Sequence, residues 1–229
     1  MMDDRRNSFP EFELKAPERT RGVVRPMEDM MRIDKDSIWH SQTESDALYE
    51  LAYGLHDTPG TQGHIIHCGI HRGGSICVMG AGARDSRSML KPVIGIDPYY
   101  NSSYEGRDGF WNESYRQARE NIHHFGLADY ICPIIFEDTK LFGTFRIPTR
   151  ITFIDTTHLY EHTKEEIQLL VPNLVDNGWL VFHDYSSDYE VIPAVNEFID
   201  NQTDYELSNY HLDLKYSTML IMQVKRHGR

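Results

Sequence analysis

Several things are scarce or missing in this 229-residue chain, and each absence narrows the field. No apolar run approaches the roughly 20 residues that cross a bilayer, and the opening "MMDDRRNSFP" lacks a signal peptide's apolar core. A soluble, cytoplasmic protein with no membrane partner is expected. Cysteine is rare and odd in number: Cys68, Cys77 and Cys132 form no C-x-x-C pair, so they read as buried thiols rather than disulfide or zinc ligands. Basic residues are outnumbered, 23 Lys and Arg against 35 Asp and Glu for a net charge of −12, and form no long stripe; nucleic acid is not an expected partner. Internal repeats and low-complexity segments are missing too. So is the G-x-G-x-x-G fingerprint of a pyrophosphate cradle, which counts against NAD or FAD.

What is present is alternation. Residues 1–40 are charged, contain Pro10, Pro17 and Pro26 and keep no clean period; they read as an N-terminal arm or lid. A single domain then runs over 41–229, long enough for a sizeable core. Ser41 or Thr43 is placed to cap a helix with apolar positions Leu48, Leu51, Ala52 and Leu55. The short apolar runs "HIIHCG", "VIGID", "YICPIIF", "ITFID" and "WLVFHD" read as strands buried on both faces. Between them "GSICVMGAGARDSRSML", "FWNESYRQARENIHHF" and "TKEEIQLLVPNL" read as helices, the last broken near Pro172. This pattern predicts an α/β fold with a doubly wound, mostly parallel sheet. A further helix, "VIPAVNEFID", precedes "YELSNYHLDL" and "KYSTMLIMQV", which pair as an antiparallel hairpin turning near Asp213.

Chemistry-bearing residues fall at the carboxyl ends of these strands. "HCGIHRGGS" leaves the first strand and opens a helix, so Gly69, Gly73, Gly74 and the following Ser75 lie where backbone amides meet a ligand. Asp97 closes the second strand, where doubly wound folds place an acid for ribose hydroxyls. Asp138, in "FEDT" after the third, is placed to accept from an adenine amino group. The fourth and fifth strands are neighbours about 4.8 Å apart, which delivers Asp155 and Asp184 side by side. Two carboxylates so close call for a cation, and a hard divalent ion with oxygen ligands, magnesium first, suits them. His183 is a possible nitrogen ligand, although adjacent strand residues normally face opposite sides. The turn at Thr156 and Thr157 brings His158 into the same cleft, where an imidazole with a pKa near 6.5 suits proton removal from a hydroxyl. His123 and His124 read as a solvated helix face.

Together "IIHCGIHRGGS", "VIGIDPY", "FIDTTHLYEHTKEEIQLLVPNLVDNGWLVFHDY" and "VIPAVNEFI" resemble the class I S-adenosylmethionine (SAM) methyltransferases of the macrocin O-methyltransferase and cephalosporin hydroxylase-like family, over roughly residues 40–225. The resemblance implies a seven-stranded Rossmann-like sheet ending in an antiparallel hairpin. It implies SAM over Gly69, Gly73, Gly74 and Asp97, magnesium on Asp155 and Asp184, and His158 as base. Three positions differ: His67 stands where the family usually has an acid, Thr156-Thr157 where it usually has Gly-Asp, and His183 where the best-defined metal sites have an acid. The expected activity is metal-assisted O-methylation of a small-molecule hydroxyl, on a sugar, polyketide or phenol, with Tyr99, Tyr100, Tyr104 and Trp111 lining the acceptor pocket; the protein is a possible homo-oligomer. Two alternatives stay open: a non-catalytic binding or assembly module on the same fold, and a nucleotide-sugar or NAD-dependent enzyme on a related one.

Overall fold

In the computed structural model of the chain, the described residues are 41–54, 63–86, 92–99, 110–186, 188–211 and 218–227. The arm over 1–40, Leu55, Tyr100, Tyr104, the side chain of Trp111 and the turn near Asp213 lie outside them. Ser41, not Thr43, opens the first helix, α1 (Gln42–Tyr53). Its hydroxyl accepts from the Glu44 N–H while the Glu44 carboxylate accepts from the Ser41 N–H, a reciprocal capping box. The inward face of the helix carries Leu48, Leu51 and Ala52.

Glu44 does more than cap. It is buried, takes the Thr218 N–H at 2.8 Å and lies 3.9 Å from His183 Nε2. Burial opposes its charge, but His183 and the two main-chain donors outweigh that and hold its carboxyl far below the ordinary range. Glu44→Ala is therefore expected to cost about 3 kcal/mol, because a buried imidazole loses one of its acidic neighbours and the Ser41 and Thr218 N–H groups lose their acceptor; urea unfolding at pH 7 measures it.

The strands β1 (His64–Cys68), β2 (Val93–Asp97), β3 (Ile131–Ile135), β4 (Thr149–Ile154) and β5 (Leu174–Phe182) are parallel, and β7 (Leu220–Arg226) lies antiparallel between β5 and β6 (Tyr205–His211). The order β3-β2-β1-β4-β5-β7-β6 is the expected mostly parallel seven-stranded sheet closed by a hairpin. Its two faces are separately covered, as the right-handed crossovers of parallel strands require. On one, Ile65, Val93, Phe153 and Val181 pack with α1, α2 (Gly74–Asp85) and α3 (Phe110–His124); on the other, Ile66, Ile96, Ile154 and Phe182 pack with α4 (Asp138–Thr144), α5 (Tyr160–Leu170) and α6 (Val191–Asn201). After α5, Pro172 sits in a 3₁₀ turn, Val171–Asn173, that ends the helix.

Two expectations need correction at β3. Among the described residues it is an edge strand, paired with β2 alone, and Ile135 and Phe136 at its end are exposed. Edge position is also why Pro133 is tolerated, since one side of the strand needs no N–H donor. Cys132 is consequently exposed, while Cys68 and Cys77 are buried as expected. The seven-residue α4 went unread because it is too short for a helical period to show. His123 and His124 are exposed on α3. Among the described residues no helix is long and apolar enough to cross a membrane.

Candidate active site

The glycine loop between β1 and α2 is fixed by contacts that only glycine permits. Gly69 has φ +88°, and a Cβ there would stand 1.7 Å from the Asp155 carbonyl oxygen. Gly73, with φ +86°, caps α2 in the left-handed region, and Gly74 and Ser75 are buried in its first turn. The loop is buttressed by Asp97, whose two oxygens accept from the N–H groups of His71 and Tyr99, each at 2.9 Å. Burial lifts the Asp97 pKa to about 6 against those main-chain hydrogen bonds. Tyr99, expected to line an acceptor pocket, is instead buried, its hydroxyl donating to the His71 carbonyl at 2.9 Å. His67 points inward as well, with Nε2 2.9 Å from Ser75 Oγ and its ring edge-on to Phe153. The Ser75 hydroxyl is thus engaged within the protein.

The same sheet edge gathers Asp155, His158, His183 and Asp184. Main-chain bonds from Asp155 N–H to the Cys68 carbonyl and from His183 N–H to the Ile154 carbonyl carry the ladder past the strand ends. Asp155 and His183 are therefore level on adjacent strands. Asp184 then adopts φ +53° and His158 φ +56°, a conformation uncommon for non-glycine residues and associated with functional sites. The left-handed turn at Asp184 is why His183 and Asp184 reach the same cleft despite the strand's alternation. His158 Nε2 lies 3.3 Å from Asp155 Oδ1 and 3.0 Å from Asp184 Oδ2; His183 Nδ1 lies 3.4 Å and 3.1 Å from the same two atoms. Two imidazoles thus bracket two carboxylates.

Burial disfavours charge on either ring, but the paired acids prevail, holding His158 up at about 9 and His183 up to about 12. In turn the two imidazoles pull Asp184 down to about 2, against the desolvation that would raise it. Asp155, His158 and Asp184 each offer a donor atom within 4.8 Å of the others. Tyr189 leans over the His158 ring, 4.9 Å between centroids, and the Glu190 N–H donates to the His158 carbonyl.

Asp138 lies apart from this cluster, at the start of α4. It is buried among Cys68 and Glu166, with donor atoms of the three within 4.8 Å of one another, and His162 Nε2 lies 3.6 Å from Asp138 Oδ1. Burial opposes its charge, but Glu166 and His162 lower its pKa to about 2. Glu166 is completely buried and accepts from the Thr156 hydroxyl at 3.0 Å on both oxygens. Sequence reasoning overlooked Glu44 and Glu166. Each left a signal: Glu44 completes S-x-x-E at a helix start, and Glu166 interrupts the buried stripe Thr163, Ile167, Leu170 of α5.

The family described as "Methyltransferase domain" matches residues 66–185, more than half of the chain. Among solved structures, the O-methyltransferase NovP shares 18% identity with TM-score 0.62, each chain covered over 80%. Cofactor-bound Rv0187 from MTB shares 15% identity with TM-score 0.65, covering 90% of this chain and 92% of its own. An O-methyltransferase from Bacillus cereus in complex with SAH shares 13% identity with TM-score 0.61, over 88% and 90%. No curated protein matches the sequence. Structural likeness at such identities shows the fold, and the family match supplies the rest. A glycine loop opening α2 and acids at the ends of β2, β4 and β5 are the frame on which that match falls: the chain belongs to the methyltransferase domain family and is a class I SAM-dependent methyltransferase.

Proposed function

We propose that the chain methylates a hydroxyl group of a small molecule, with His158 as the base and a divalent cation held by Asp155 and Asp184. One observation carries this reading: the glycine loop and the Asp155, His158, Asp184 cluster meet at one point, the Asp155 carbonyl standing against Gly69. A sulfonium methyl group over the loop and a hydroxyl over the cluster are then neighbours, as in-line displacement requires. Donor contacts fall to the main chain of Gly69, Gly73 and Gly74 at the α2 N-terminus, with Ser75 contributing its N–H rather than its hydroxyl. Asp97 retains acceptor capacity for ribose hydroxyls while it braces the loop. Asp138 is the acceptor for the purine amine.

The carboxylate oxygens of Asp155 and Asp184 fit a hard divalent cation such as magnesium, leaving the His158 nitrogen free as the base. Held by Asp155 and Asp184, such a cation would lower the pKa of the acceptor hydroxyl. The side chains supply the rest. In its neutral form, which predominates only above about pH 9, His158 takes the hydroxyl proton from a position fixed by the two acids, and the exposed Leu159 and Tyr189 flank it with apolar surface that shields the nucleophile. His183, already hydrogen-bonded to Asp184, keeps the acids in place as their buried counter-charge rather than as a third ligand. The cation and the His158 proton compete for the same two acids.

Calorimetry with SAH and SAM tests the donor reading, and no binding by either would sink it while favouring the non-catalytic module. For the metal, the sign follows from His158. Its pKa of about 9 means that below pH 9 a proton must leave before the carboxylates are free, so magnesium affinity should rise with pH up to that value. Magnesium-induced thermal shifts are expected to be larger at pH 9 than at pH 7 and to vanish in Asp155→Asn. A shift that does not depend on pH would place the ion elsewhere.

A further inference from the structure

The cluster beneath the donor site has a part that the methyl-transfer reading does not use. Glu166 sits on α5, wholly buried, between the Thr156 hydroxyl of the base-bearing turn and the Asp138 carboxylate at the start of α4. Asp138 Oδ1 accepts the Thr139 N–H at 2.8 Å; Oδ2 is buried, and no N–H or hydroxyl of the described residues reaches it. Two buried carboxylates with oxygens within 4.8 Å of each other share a charge badly unless one holds a proton. Burial and the neighbouring Asp138 favour the protonated form of Glu166 well beyond the ordinary range, while Asp138 is held ionised. A protonated Glu166 carboxyl offers a donor within 4.8 Å of the Asp138 carboxylate, while Thr156 donates to Glu166 at 3.0 Å.

We propose that Glu166 is a positioning residue for donor recognition: wedged between Thr156 and Asp138, it fixes the Asp138 carboxylate in the orientation that accepts the 6-amino group of an adenine. The inference rests on the donor reading above. It makes purine selectivity depend on a side chain that touches neither the purine nor the methyl group. It also joins the donor pocket to the turn carrying His158 through one hydroxyl.

The test compares SAH with S-inosyl-L-homocysteine, whose purine carries a carbonyl in place of the amine, by calorimetry on the full chain. A site with an acceptor aimed at the amine rejects the carbonyl analogue, and wild type is expected to prefer SAH by about tenfold or more. Glu166→Leu should weaken SAH about tenfold and reduce that preference to about twofold, a loss that general loosening of the fold would not direct at the purine amine. Glu166→Gln, whose amide donates to Asp138 and whose carbonyl accepts from Thr156, should restore the preference lost in Glu166→Leu. Should Glu166→Leu fail to fold, Thr156→Val and Glu166→Gln carry the comparison: the preference falls about threefold in the first and survives in the second. A folded Glu166→Leu that still rejects the inosyl analogue, or a Glu166→Gln that accepts both, overturns the proposal. Wild type that binds neither compound overturns it through the donor reading itself.

Discussion

His158→Ala is expected to lower kcat for methyl transfer by about 10²- to 10⁴-fold, the usual contribution of a positioned general base, while leaving SAH affinity within about twofold. The ring bridges Asp155 and Asp184 and lies under Tyr189, so its removal empties the proton-accepting position without touching the glycine loop. Two companion readouts separate a base from a structural ring. Added imidazole should recover part of the rate. Magnesium affinity should hold or rise at pH 7, because the proton that competed for the acids leaves with the ring. Full turnover by His158→Ala on an identified acceptor would dismiss the base assignment.

Among the described glycines, Gly69→Ala should be the most damaging single methyl. Its Cβ would lie 1.7 Å from the Asp155 carbonyl oxygen, and the residue has φ +88°. Neither atom can step aside cheaply, since the Asp155 N–H is tied to the Cys68 carbonyl and the Gly69 N–H to that of Ile96. A cost of about 4 kcal/mol or more in urea unfolding is expected, with loss of SAH binding. Gly126→Ala is the control: it also has positive φ, +62°, but nothing lies within 4 Å of its would-be Cβ, so only about 1 kcal/mol of backbone strain is expected. Equal losses in the two variants would show that the packing of Gly69 on Asp155 is not what matters there.

How far the sequence could be read depended on the kind of signal. Apolar runs ending in acids placed Asp97, Asp155 and Asp184 at strand ends, because strand length and parallel order are written in the hydrophobic pattern. The meeting of Asp155 with Asp184 followed from strand adjacency alone. The shared side of His183 and Asp184 did not, because it depends on a left-handed turn at Asp184 that no propensity encodes in a non-glycine residue. Tyr99 was misread for a similar reason: with φ +50° it folds back under the glycine loop instead of into the cleft. The edge position of β3, and with it the exposure of Cys132, is a property of strand order rather than of "YICPIIF". Glu44 and Glu166 fill buried positions whose meaning lies in distant partners, Thr218 and Asp138, and a single sequence does not name such pairs.

The contact between Glu44 and Thr218 joins residues 174 positions apart, and β7, the final strand, lies inside the sheet rather than at its border. During synthesis the chain's first described helix must therefore wait, its carboxylate unmatched by the Thr218 N–H, until Thr218 has emerged. His183, which touches both that carboxylate and the paired acids, acquires its setting at the same moment. A chain cut short before the β6–β7 hairpin is therefore expected to retain helices but to leave Glu44 and His183 without their full setting.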